Sequence, residues 1–151
     1  MASRKKTKRA ARNAGSMPPA LARSYERYLK IALALPDTVA SPRPGSAWER
    51  GRSVFETPSV RAFGKFLSRW RTEAEGALAI RCELLDRQIL LQARPDVFFL
   101  IDHYVNYPMI LVRIEKASPE VLRDVAERAW RLVAPVKAVK QRDAALASAH
   151  R

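Results

Sequence analysis

From Ala20 the apolar positions recur in alternating steps of four and three. In "ALARSYERYLKIALALP", Leu21, Tyr25, Tyr28, Ala32 and Leu35 share one face, which predicts a helix. Arg23, Arg27 and Lys30 recur on another face, either an ordinary solvated side or a ridge facing phosphates. Pro36 stops the helix. The following "DTVASPRPGSAWERGR" carries Pro42, Pro44 and Gly45 and reads as a loop, with Trp48 anchoring its far end.

At Ser53 the period changes. "SVFE", "SVRAF", "KFLSRWRT" and "ALAIRCE" read as short strands, with tight connections at Gly64-Lys65 and over Glu73–Gly76. Strict alternation through Phe66–Arg71 places Phe66, Ser68 and Trp70 on one face and Leu67, Arg69 and Arg71 on the other. In the next strand Leu78, Ile80 and Cys82 lie opposite Arg81, so Cys82 reads as a small buried hydrophobe. "LLDRQILLQAR" is a short helix closed by Pro95, and "DVFFLI" and "MILVRI" are two further strands. Ser118 then caps a helix with Pro119 in its first turn and Glu120 at its positive end. Leu122, Val125, Ala126, Ala129, Leu132 and Val133 form the stripe that packs this helix on the sheet, and Pro135 ends it. The remaining "VKAVKQRDAALASAHR" is either a helical extension or a basic tail. A run of strands with helices at the ends indicates α+β architecture: a mainly antiparallel sheet, an N-terminal and a C-terminal helix, and a short helix inserted between strands.

Charge adds to this picture. The 151 residues carry a formal net charge of +13. Residues 1–20 contribute +6 with no acid, residues 21–134 contribute +4, and residues 135–151 contribute +3. Residues 1–19 therefore read as a disordered basic arm with little to bury, 20–135 as one folded domain, and 136–151 as a basic C-terminal tail. A field of this sign attracts polyanions. Cys82 is the single cysteine, which excludes an intrachain disulfide and a multi-cysteine zinc site and suits a cytoplasmic setting. No apolar run approaches the ~20 residues of a membrane span, so no membrane role is expected.

The polar knot between the last two strands, Asp102 to Pro108, invites three readings. Catalysis is the weakest. Asp102 and His103 are neighbours that diverge on an extended chain, and no nucleophile, Walker loop or HExxH accompanies them. One His with one Asp is too few ligands for a metal, and no cofactor is expected. A plain turn accounts for Asn106 and Pro108. Recognition uses the same residues, because His103, Tyr104, Asn106 and Tyr107 can all meet phosphates or bases.

"RPDVFFLIDHYVNYPMILVRI", followed by "SPEVLRDVAERAWRLVAP", resembles the MmcQ/YjbR family of small bacterial proteins. Leu35-Pro36, the hairpin in "FETPSVRAFGKFLSRW" and Arg87 in the short helix extend the resemblance over about residues 25–135. Gly64 and Lys65 match the family's first hairpin, and His103, Tyr104, Tyr107 and Pro108 match its second bend. The resemblance implies a domain like the secretion-chaperone-like and CyaY-like folds, and the family's designation as DNA-binding of a double-wing type. It transfers no catalytic residue, and the two basic ends lie outside it.

The expectation that follows is a non-enzymatic, sequence-tolerant DNA-binding protein. Arg4, Lys5, Lys6, Lys8, Arg9 and Arg12 of the arm supply phosphate contacts. Arg61, Lys65, Arg69 and Arg71 act from the first hairpin, and His103, Tyr104, Asn106 and Tyr107 from the second bend. RNA is a second candidate polyanion. The alternative is a protein-interaction module of secretion-chaperone-like fold, binding a protein partner or a second copy of itself.

Overall fold

The computed structural model describes residues 19–41, 58–71 and 77–150. The six basic residues of the arm, Trp48, the strand expected over "SVFE" and the Glu73–Gly76 connection lie outside the described residues. The elements run α1 (Pro19–Leu33), β1 (Thr38–Ser41), β2 (Ser59–Ala62), β3 (Lys65–Arg71), β4 (Ala77–Arg81), α2 (Leu84–Ala93), β5 (Phe98–Phe99), a 3-10 turn (Asp102–Tyr104), β6 (Met109–Val112), α3 (Pro119–Val133) and α4 (Val136–Ala149). The strands form a six-stranded sheet in the order β1-β2-β3-β4-β6-β5, with every pairing antiparallel. This is the α+β architecture that the pattern predicts.

The helices α1 and α3 pack against each other, α1 against β1, and α3 against β3 and β4. Tyr25, Tyr28 and Ala32 turn inward from α1, as their spacing requires. The Tyr28 hydroxyl donates to Ser68 Oγ, so both polar groups are satisfied inside the core. Ser118 caps α3 by accepting from the Val121 amide at 3.2 Å, with Pro119 in the first turn. Leu122, Val125, Ala126, Ala129 and Val133 are buried as expected. Leu132 is not: it is 45 % exposed, and Trp130 occupies the interior. Both positions lie about 80° from the centre of the stripe, on opposite sides, at 100° per residue. Trp130 is held inside by partners, because its ring faces Phe63 and its Nε1 donates to the Pro36 carbonyl at 2.7 Å.

Two departures concern the first half of the sheet. The stretch after Pro36 is not all loop, since Thr38–Ser41 pairs with β2 from Thr38↔Ala62 to Ser41↔Ser59. Four residues are too few to show a period, and it is the open edge of β2 that makes them a strand. The second departure is a bulge. Val60 faces Ser68 but Arg61 faces Phe66, so Leu67 is an extra residue in β3. Leu67 and Ser68 both point into the core, and Phe66 joins Arg69 and Arg71 on the outer face. The alternation expected from the sequence therefore fails at Phe66 and Leu67, which exchange faces. The Phe63-Gly64 turn closes the β2-β3 hairpin with φ of 53° and 76° at its two central residues, the geometry of a two-residue primed turn.

The strand expected over "DVFFLI" shortens to Phe98–Phe99. Leu100 and Ile101 leave the ladder and pack beside Ala77, Ala79, Tyr104 and Leu111 on the outer face. The C-terminal stretch resolves into a helix. Arg131 meets Asp143 at 2.7 Å and Arg142 meets Glu127 at 3.0 Å, which hold α4 on α3, while none of its residues is fully buried.

Candidate nucleic-acid interface

The described strands carry charge of one sign. The described strands contain Arg61, Lys65, Arg69, Arg71 and Arg81 and no acid. On the helical side arginines sit with carboxylates. Arg128 bonds Asp124 at 3.1 Å and reaches Asp86 at 3.3 Å, and Arg131 bonds Asp143. Donating a hydrogen bond to Asp143 holds the Arg131 guanidinium above its ordinary pKa, and donation to Asp124 does the same for Arg128. Lys30, Arg123 and Arg142 likewise share a cleft with Asp124 and Glu127.

Registration aligns the outer face into rows. Arg61 is opposite Phe66, Arg69 opposite Ala79, Ala79 opposite Leu111, and Arg81 opposite Met109. The Arg61 guanidinium carbon lies 3.7 Å from the centroid of the Phe66 ring, and its Nη1 donates to the Gly64 carbonyl at 3.1 Å. Arg81 Nε donates to the Phe66 carbonyl at 2.9 Å, which lays its side chain along the sheet. The small Ala77 and Ala79 leave room on β4 for Tyr104, which is buried against them and carries the Arg71 guanidinium 5.3 Å from its ring centroid.

The bend does not project as a wing. It folds down as a 3-10 turn around one side chain from α2. Arg87 Nη1 donates to the carbonyls of Tyr104, Tyr107 and Met109 at 3.0, 2.7 and 3.2 Å, and Nη2 donates to that of Val105 at 2.9 Å. The Cys82 amide adds a bond to the Pro108 carbonyl at 2.8 Å. Arg87 is thus committed to architecture and does not converge with His103 in a pocket. His103 is held edge-on to Tyr104 at 4.8 Å and stacked with Tyr107 at 5.9 Å between ring centroids.

These placements bring Arg69, His103, Tyr104 and Tyr107 together around one cleft of about 380 Å³, with Phe66, Arg81, Pro108 and Met109 completing it. Arg61 stands beside it on the Phe66 ring, and Arg71 on the Tyr104 ring. Lys65 is exposed at the hairpin end, and Asn106 is exposed in the turn without lining the cleft. Sequence reasoning did not assign Arg81 and Phe66 to the site. Arg81 was already opposite the apolar face of its strand, a usable signal, whereas Phe66 is hidden by the bulge. Burial pushes the Cys82 thiol up to about 11, with Asp86 adding to the shift, as befits a hydrophobe. Among the described residues no group of three or more His, Cys, Asp or Glu side chains is placed to hold a metal ion, and no helix is long and apolar enough to cross a membrane. Comparison with family models, curated proteins and solved structures finds no match to the chain.

Proposed function

We propose that the protein binds nucleic acid, DNA in the first place, through the outer face of its sheet, and that it is not an enzyme. One observation carries this reading: the described strands, which contain no acid, display Arg61, Arg69, Arg71 and Arg81 on a single face that the Asp102–Pro108 bend completes. Phosphate contacts from such a face, joined by Arg4, Lys5, Lys6, Lys8, Arg9 and Arg12 of the arm, give affinity without base readout. The resemblance of the Arg94–Ile114 stretch to the MmcQ/YjbR family points to the same activity, and a cytoplasmic location accords with it. The test is a titration with DNA across a salt series. Six arm charges on phosphates give a slope of log K against log[salt] on the order of −5, which flattens when residues 1–15 are deleted. An intact chain that forms no complex at moderate ionic strength overturns the proposal.

A second reading has one observation in its favour. Leu84, Leu85 and Ile89 of α2 are exposed, and Leu85 is 63 % so. A protein partner or a second copy on that helix would cover them. A sedimentation profile that moves from dimer to monomer in Leu85→Glu supports this reading, and a monomeric wild-type chain removes the self-association form of it.

A further inference from the structure

We infer that the polynucleotide is single-stranded, and that one unstacked base enters the cleft between β3 and the Asp102–Pro108 bend. The inference rests on the nucleic-acid reading above and narrows it to a substrate class.

Three features lead to it. The first is shape. A duplex shows proteins its phosphates and the edges of its bases, and reading those edges takes an element that enters a groove. The Asp102–Pro108 bend is folded onto the sheet by Arg87 and by the burial of Tyr104, so the bend itself does not stand out as a wing to enter a groove. The second is the chemistry of the lining. Phe66, Pro108 and Met109 are apolar, and His103 and Tyr107 offer a stacked pair of rings, of which Tyr107 is 56 % exposed. Ring faces engage the flat face of a base, and a base face is accessible only out of the double helix. The third is the arrangement of charge. Arg69 and Arg81 line the same cleft, and Arg61 and Arg71 flank it on neighbouring strands, so phosphates on either side of a seated base meet guanidinium groups. A volume of about 380 Å³ lies at the small end of ligand sites, about 300–1,000 Å³, and suits one nucleotide better than a folded ligand.

Fluorescence anisotropy with the full chain tests this, using four probes of equal length: a thymidine strand, its duplex with adenosine, an abasic strand with the same phosphates, and a uridine RNA strand. The expected result is a thymidine strand bound at least about tenfold more tightly than the duplex and the abasic strand. Tyr107→Ala lowers affinity for the thymidine strand about tenfold and leaves abasic binding unchanged, whereas Tyr107→Phe keeps wild-type affinity. Arg69→Gln weakens the thymidine and abasic strands alike and shallows the salt slope by about one. Tighter binding of the uridine strand than of the thymidine strand keeps the inference and assigns the polymer to RNA. A duplex bound as tightly as the single strands, or a Tyr107→Ala chain with unchanged affinity, overturns the inference and leaves the DNA-binding proposal standing. Absence of binding to all four probes overturns both. Tyr107 points its side chain outward and engages Arg87 through its carbonyl alone, so Tyr107→Ala keeps that bond and the fold.

Discussion

Arg87 and Tyr107 meet through a 2.7 Å hydrogen bond from a guanidinium nitrogen to a backbone carbonyl, which ties the short helix to the bend twenty residues later in the chain. The same guanidinium donates to three further carbonyls of that bend, so one cation ties together four main-chain oxygens, of which those of Tyr104 and Tyr107 also accept from amides of the turn. Removing it takes a charged donor from four carbonyls at once. Arg87→Met is expected to cost about 3 kcal/mol in urea denaturation, the scale of losing charged hydrogen bonds at a buried site. Arg87→Lys costs less but does not restore wild-type stability, because an ammonium cannot span four carbonyls.

Trp130→Phe keeps most of the apolar volume and deletes the bond from Nε1 to the Pro36 carbonyl. The expected loss is about 1.5 kcal/mol, or roughly 4 °C in Tm by calorimetry. Because Pro36 lies at the exit of α1, Thr38–Ser41 should show faster amide exchange in this variant, and unchanged exchange there would separate the indole bond from the docking of β1.

Gly64 has a φ of 76° with no atom within 4 Å of where a Cβ would stand. Gly64→Ala therefore isolates backbone strain from crowding, and a loss of about 1 kcal/mol is expected in thermal unfolding. Phe63, at φ 53°, already tolerates the same region, held there with its ring against Trp130.

Cys82 links stability to alkaline pH. Its pKa rises from 9.0 to about 11 on folding. Below the lower value both states keep the proton and stability is flat; above it the unfolded thiol ionises first, and stability falls until pH passes the higher value. Between about pH 8 and pH 10 this thiol alone should cost about 1 kcal/mol in denaturant melts, and Cys82→Ala should remove that share of the slope. Tyr25 and Tyr28, also raised by burial, add to the loss as pH nears and passes their ordinary value of 10.0.

What the sequence revealed depended on how many residues each element had to show a period. The helix α1 and the Ser118-capped α3 each span 15 residues, long enough for a stripe to declare itself, and their inward faces were legible apart from the Leu132–Trp130 exchange. A four-residue strand such as Thr38–Ser41 has no period to read. The cleft was legible in its parts, because Arg69, His103 and Tyr107 stood out by residue type. Their meeting was not, since it depends on β4 and β6 lying side by side next to β3, a consequence of sheet order rather than of any local pattern. The role of Arg87 was invisible for a related reason: its carbonyl partners are main-chain atoms, which leave no trace in residue identity.

The extra residue at Leu67 makes chain length, rather than composition, the guardian of the sheet's polarity. Insertion of one residue between Arg69 and Trp70 would turn the indole outward and bring the Arg71 guanidinium into the interior. Trimming Leu67 itself would leave each surviving side chain of β3 facing as it does now. Length variation along this hairpin is therefore filtered by position, and a descendant shortened at that one place would keep its cationic face at the expense of a single aliphatic contact.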